Sequence, residues 1–275
     1  MDQQQPNSSK KKPGMSGLAI ATTVCLVILG AGSRYVTNMK MSSASAETDQ
    51  VRELSQDLDA LQQKAIYDSY SDPDAMANYQ TQHTESLRKF REENPDDDSI
   101  EAFMVDFVLA SNETAPDTSV IETEVERILD FSTIQTRGDL FERANSLRQL
   151  DGLVVEMIEW IRELPNDFES QLQESDFSAK KQRQAKYVFE VGFNMPARVK
   201  IQELDRRILR VVNQMLEVLS NSWGRWTYDT ESGLLLFDDD AELSAMNKLF
   251  DAFDDLAQEQ HAVQLRMMTE SQRRR

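Results

Sequence analysis

The chain is poor in the residues that make turns, covalent staples and metal sites: it has nine Gly, seven Pro, one Cys and two His in 275 residues. A single cysteine, Cys25, excludes an intramolecular disulfide. His83 and His261 have no Cys or second His at ligand spacing, so no clustered zinc site is expected. There is no Gly-rich phosphate loop, no nucleophile elbow and no H-E-x-x-H pair. No catalytic residue, metal ligand or cofactor is assigned on this basis, and an enzyme is not expected. The run "NPDDDS" from Asn94 superficially resembles a calcium loop, but it lacks the central glycine and the distal glutamate, which leaves helix capping as its reading.

Positive charge is also scarce, with 30 Lys and Arg against 48 Asp and Glu. The deficit is uneven. The first 40 residues hold five basic side chains (Lys10, Lys11, Lys12, Arg34, Lys40) and one acidic (Asp2), so the chain's net −18 leaves −22 for the remainder. A domain with that excess repels phosphate backbones, which excludes nucleic acid as a general partner and favours cations or basic proteins.

Only one long apolar run exists, in "KKKPGMSGLAIATTVCLVILGAGSRY". Gly17 to Gly32 carries no charge, and extension to Val36 adds Arg34 alone. That length spans a bilayer as a helix. The expected layout is a cytoplasmic tail over 1–16, a transmembrane signal anchor over 17–36, a flexible linker over 37–50 and an acidic extracytoplasmic helical domain over 51–275. Lys10, Lys11 and Lys12 set an N-in topology under the positive-inside rule, which puts the protein in the inner membrane with its C-terminal domain periplasmic. Gly17, Ala21 and Cys25 share one helix face as a small-residue ridge, a route to homo-oligomers through the anchor. Cys25 lies mid-run after Val24, which argues against lipoprotein processing. Cleavage near Gly32, giving a soluble exported domain, is the competing outcome.

Beyond the linker the pattern is helical, and the fold class is all-α. Val51, Leu54, Leu58, Leu61 and Ala65 form a stalk seam of about two heptads, too short for a sustained coiled coil and suited to packing within the chain. Asp72 before Pro73 starts a polar helix reaching Glu93. Asp98 with Glu101, and Ser119 with Glu122, have capping-box spacing before apolar stretches. After a break at Thr136 to Asp139, an apolar seam from Leu147 to Leu164 predicts a core helix stopped by Pro165. The segment from Asn166 reads as a loop or short helix before a further helix. Its basic cluster of Lys180, Lys181, Arg183 and Lys186 reads as a solvated face paired with nearby acids.

The widest apolar stripe follows Pro196, from Ile201 to Leu219, and predicts the central helix of a bundle, flanked by the 140–164 helix and a last helix carrying Leu243 to Leu256. Between the central and last helices, residues 225–237 read as a β-hairpin, with turn chemistry at Asp229 to Gly233. Its aromatics either cap the end of the bundle or form a binding platform of Trp223, Arg225, Trp226, Tyr228 and Phe237.

This layout broadly resembles the sensory modules of bacterial transmembrane receptors, without the second span and cytoplasmic output region they carry, and no family is assigned. The expected function is that of a membrane-anchored binding or scaffolding module for a protein partner in the envelope. The alternative is a ligand-binding sensor or chaperone-like module that uses a bundle crevice or the aromatic hairpin.

Overall fold

A computed structural model describes residues 75–117 and 119–273, together with positions 53, 54, 56–58, 60, 61 and 64 of an earlier helical stretch. The anchor, its flanks and the Asp72–Pro73 start lie outside the described residues. Among those described, no helix is long and apolar enough to cross a membrane.

The protein is mostly helical, with a two-stranded antiparallel hairpin before the last helix. Among the described residues from Ala75 onward, the helices run as α1 (Ala75–Glu93), α2 (Ile100–Thr114), α3 (Ser119–Leu129), α4 (Arg137–Glu174), α5 (Ala179–Phe193), α6 (Met195–Asn221) and α7 (Asp240–Arg273). A 3₁₀ turn at Phe131–Thr133 joins α3 to α4, and strands β1 (Trp226–Asp229) and β2 (Leu234–Phe237) join α6 to α7.

Helix starts follow local capping chemistry. At α4, Thr136 Oγ1 accepts from Asp139 N at 3.2 Å, and Asp139 Oδ2 accepts from Thr136 N at 2.7 Å, closing a capping box. The start of α2 falls one residue later than the expected Asp98 box. Ser99 is the cap, accepting from Ala102 N at 3.1 Å. Asp97 holds it there by accepting from both the Ser99 N–H and its hydroxyl, each at 2.9 Å. α3 opens at Ser119, while the capping side chains of Ser119 and Glu122 lie outside what is described. α5 ends and α6 begins at Asn194, whose left-handed backbone (φ 42) turns the chain. Buried Arg198 seals this corner by donating to Phe193 O at 2.6 Å.

The expected stop at Pro165 is overturned, because α4 continues through it to Glu174. An interior proline removes one helical N–H and crowds the preceding turn, at a cost of about 3 kcal/mol. The burial that offsets this is visible downstream. Leu164, Phe168 and Leu172 extend the apolar seam of Ile161 by steps of three and four, and all are buried. At 38 residues, α4 is close to 57 Å long. Pro165→Ala is expected to raise the unfolding free energy by about 1–3 kcal/mol, less than the full helix-propensity gain because alanine also loosens the unfolded chain. Denaturant melts would read the change.

Two apolar cores share this helix. One gathers α3, the 3₁₀ turn, the first part of α4 as far as Ile158, α6 from Leu204 to Leu219, the hairpin and α7, with Leu150, Val154, Leu204, Met215, Leu219 and Phe253 buried in it. α6 packs on α4 and on α7, as the wide stripe on α6 predicts. The other core joins Leu54 and Leu58 of the early helical stretch to α1, α2, α5 and the second half of α4. It is aromatic: Phe168 stacks on Phe189 at 4.2 Å between ring centroids, and Phe107 meets both edge-on at 5.1 and 5.6 Å. Leu54 and Leu58 therefore pack within the chain.

Candidate functional site

Three places hold polar or aromatic chemistry that the fold positions closely: the hairpin, the paired charges between helices, and a crevice beside a buried carboxyl.

The hairpin pairs Trp226 with Phe237, Thr227 with Leu236, Tyr228 with Leu235 and Asp229 with Leu234. Side chains alternate across a strand, so Trp226, Tyr228, Leu235 and Phe237 share the face turned to the first core, where all four pack half-buried. Thr227 and Leu236 face out. Asp229 builds the turn: its backbone carbonyl accepts from Gly233 N at 2.8 Å, and its carboxylate accepts from Glu231 N at 3.1 Å and from the Ser232 hydroxyl. Gly233 takes φ +68, a conformation that glycine adopts without strain. Trp226 Nε1 donates to Leu219 O at 2.8 Å, tying the hairpin to the last turns of α6, and its ring meets Trp223 edge-on at 5.7 Å. Arg225 pairs with Glu242 of α7 at 2.5 Å and donates to Asn221 O at 3.3 Å.

Trp223, Arg225, Trp226, Tyr228 and Phe237 are thus brought together, with their rings laid against the bundle end. Trp226→Ala is expected to lower stability by about 2–4 kcal/mol, from lost burial and a carbonyl left without its donor. Trp226→Phe should lose about 1 kcal/mol. A melt of Trp226→Ala that matches the parent would place the ring outside the core.

The surface charges pair across helices. Arg206 of α6 grips Asp151 of α4 through two bonds of 2.8 and 3.0 Å, and the Arg206 donor holds the Asp151 carboxyl below its ordinary range. Glu259 of α7 meets Lys200 and Arg207 of α6 at 2.9 and 3.3 Å. In the basic cluster, Lys181 reaches Asp98 at 3.5 Å and lies over the Phe177 ring, and Lys186 reaches Glu169 at 3.0 Å. Arg143, buried in the first core, donates to Ile128 O at 2.8 Å and to Thr133 Oγ1 at 2.5 Å, closing the end of α3.

The crevice lies between α3, α4 and α6, walled by Ile121, Val125, Ile128 and Leu129, by Leu147, Leu150 and Val154, and by Ile208, Leu209 and Val212. Its empty space totals about 410 Å³ with the open mouth included. One charged-type residue lines it, Asp205, which is 1% exposed. Asp205 Oδ1 accepts from Gln260 Nε2 of α7 at 2.6 Å, whereas Asp205 Oδ2 and Gln260 Oε1 are buried with no hydrogen-bond partner. Burial pushes the Asp205 pKa up to about 8, against the opposing pull of the Gln260 hydrogen bond, so the folded protein holds it as a neutral acid at pH 7.

Asp205 was not singled out from the sequence, although a signal existed. It stands four residues after Ile201 and three before Ile208, inside the apolar seam of α6. Its partner Gln260 lies 55 residues away, beyond any local pattern. His83 is likewise buried on α1, and burial lowers its pKa to about 4. His261 is exposed on α7, and among the described residues no group of three or more His, Cys, Asp or Glu could hold a metal. Gly17, Ala21, Cys25 and Lys10, Lys11 and Lys12 lie outside the described residues. Compared with protein-family models, with curated proteins and with solved structures, the chain matches none of them.

Proposed function

We propose that this protein is a membrane-anchored, non-catalytic binding or scaffolding module of the cell envelope, held in the inner membrane by residues 17–36 with the N-terminus cytoplasmic and the helical domain outside. The observation that carries the reading is the division of charge, with +4 and one uncharged sixteen-residue run in the first 40 residues and −22 beyond them. Lysines ahead of the run favour retention on the cytoplasmic side. The acidic excess disfavours anionic lipid and nucleic acid as ligands and suits a basic protein surface.

Two features of the helical domain support a role through its outer surface. Its cores are filled by interlocking side chains, and the crevice leaves no enclosed space for a sizeable substrate. Lys186, Lys200 and Arg206 are engaged with acids of neighbouring helices, which leaves the acidic excess of the outer surface for partner contacts.

Reporter fusions at the C-terminus test the topology. An extracytoplasmic reporter, active only after export, should light up, and a cytoplasmic C-terminus overturns the proposal. A partner recovered by crosslinking in the intact envelope should dissociate as salt rises.

A further inference from the structure

Asp205 is the one charged-type residue in the wall of the crevice, and α3 forms a facing wall. As a neutral acid Asp205 suits that place: Oδ1 accepts from Gln260 Nε2, the carboxyl carries its own O–H, and the rest of the wall is aliphatic. As a carboxylate it does not. A buried charge needs several donors or water, and the Gln260 amide is the donor that the described residues supply. The open mouth of the crevice is the route by which water can reach it.

α3 is the element built to give way. α6 packs along both α4 and α7, whereas α3, eleven residues long, packs mainly on α4 and leaves the crevice between itself and α6. Polar ties fasten its C-terminal end: Arg143 of α4 donates to Ile128 O at 2.8 Å, and Arg127 donates to Ser146 Oγ of α4 at 2.7 Å. Ile121 and Val125, nearer its start, sit in the bundle by apolar packing. A helix held in this way can pivot about its fastened end while α4, α6 and α7 stay joined.

We propose that α3 is a pH-gated lid: ionisation of Asp205 swings its N-terminal half outward, so that water reaches the carboxylate and the apolar wall on α4 and α6 is uncovered. In the closed form burial holds the carboxyl neutral up to about pH 8, whereas in the open, hydrated form it titrates near its ordinary 3.8. Between those values only the open form releases the proton, so opening grows about tenfold per pH unit and levels off above the upper value. On the elements packed round Asp205 the other charges lie outside the crevice wall. Glu124 of α3 pairs with Arg127, Asp151 of α4 with Arg206 of α6, and Glu259 of α7 with Lys200 and Arg207, while Arg143 of α4 is committed to Ile128 O and Thr133 Oγ1. His261 of α7 is exposed.

Thiol labelling of the full chain tests the proposal. Val154→Cys, on the crevice wall, and Met215→Cys, buried on α6 outside that wall, are each placed in a Cys25→Ser background, and every rate is divided by that of the unfolded chain at the same pH to cancel the titration of the thiol. From pH 6.5 to 8 the relative labelling of Val154→Cys should rise about fifteenfold, then flatten, and it should exceed that of Met215→Cys throughout. Adding Asp205→Asn should remove the rise while leaving His83 and His261 in place. A flat profile for Val154→Cys, an equal rise in the presence of Asp205→Asn, or Met215→Cys labelling as fast as Val154→Cys, which marks global unfolding, would each overturn it. If the Asp205→Asn chain does not fold, the first and third of these outcomes decide alone.

Discussion

Phe168→Ala is expected to lower the unfolding free energy by about 3–5 kcal/mol, a large part of the total for a domain of this kind. Phe168 is 2% exposed and touches Phe103, Phe107 and Phe189, stacking on the last and meeting the other two edge-on. Truncation removes those ring contacts and leaves a void walled by α2, α4 and α5, three elements held by their own connections and poorly able to collapse inward. Phe168→Leu should cost less, because it keeps much of the volume. Equilibrium denaturation by urea reads both. A loss below about 1 kcal/mol for the alanine variant would show that the aromatic core is not packed as described.

Asp205→Asn is expected to stabilise the protein, and by an amount that grows with pH. In the unfolded chain the carboxyl titrates near its ordinary value of 3.8, whereas in the folded chain burial raises it to about 8. Below the lower value both states hold the proton and the residue contributes no pH dependence. Between the two values only the unfolded chain releases it, so stability falls by about 1.4 kcal/mol per pH unit, and the fall levels off above the upper value. Asparagine has no such proton. It retains an acceptor for Gln260 Nε2, and its amide N–H donors take the place of the neutral acid's O–H without a proton to lose. The variant should match the parent near pH 4 and exceed it by a few kcal/mol near pH 8, as an order of magnitude. Subtracting the two stability curves isolates this residue from His83, whose depressed pKa lowers the stability of both proteins as pH drops below about 6.5. A difference that stays flat from acid to base would refute the assignment.

How far the sequence reveals this fold depends on how local each signal is. α6 was legible from its stripe, since Ile201, Leu204, Ile208 and Met215 recur on one helix face and all are buried. The hairpin was legible because strand formers flank a turn that needs Gly233. Pro165 misled because a proline's local penalty is easy to see, while the burial that outweighs it comes from Phe107 and Phe189, which are far away in the chain. The aromatic core was missed for the same reason: its phenylalanines are spread over α1, α2, α4 and α5, with no more than two on any one helix. The Ser99 cap eluded capping-box spacing because Asp97, Asp98 and Ser99 are all competent caps, and only the backbone path selects one.

α4 also sets how the protein comes apart. Its first half is anchored in one core and its second half in the other, with Pro165 just past the point where the allegiance changes from Ile158 to Leu164. The proline supplies no N–H, so the helical ladder is one rung short close to that junction. The two halves of the bundle are therefore joined by a rod with a built-in weak rung. Amide exchange on either side of it would report two separate opening free energies, and an unfolding event in the aromatic half need not propagate into the half that holds Asp205.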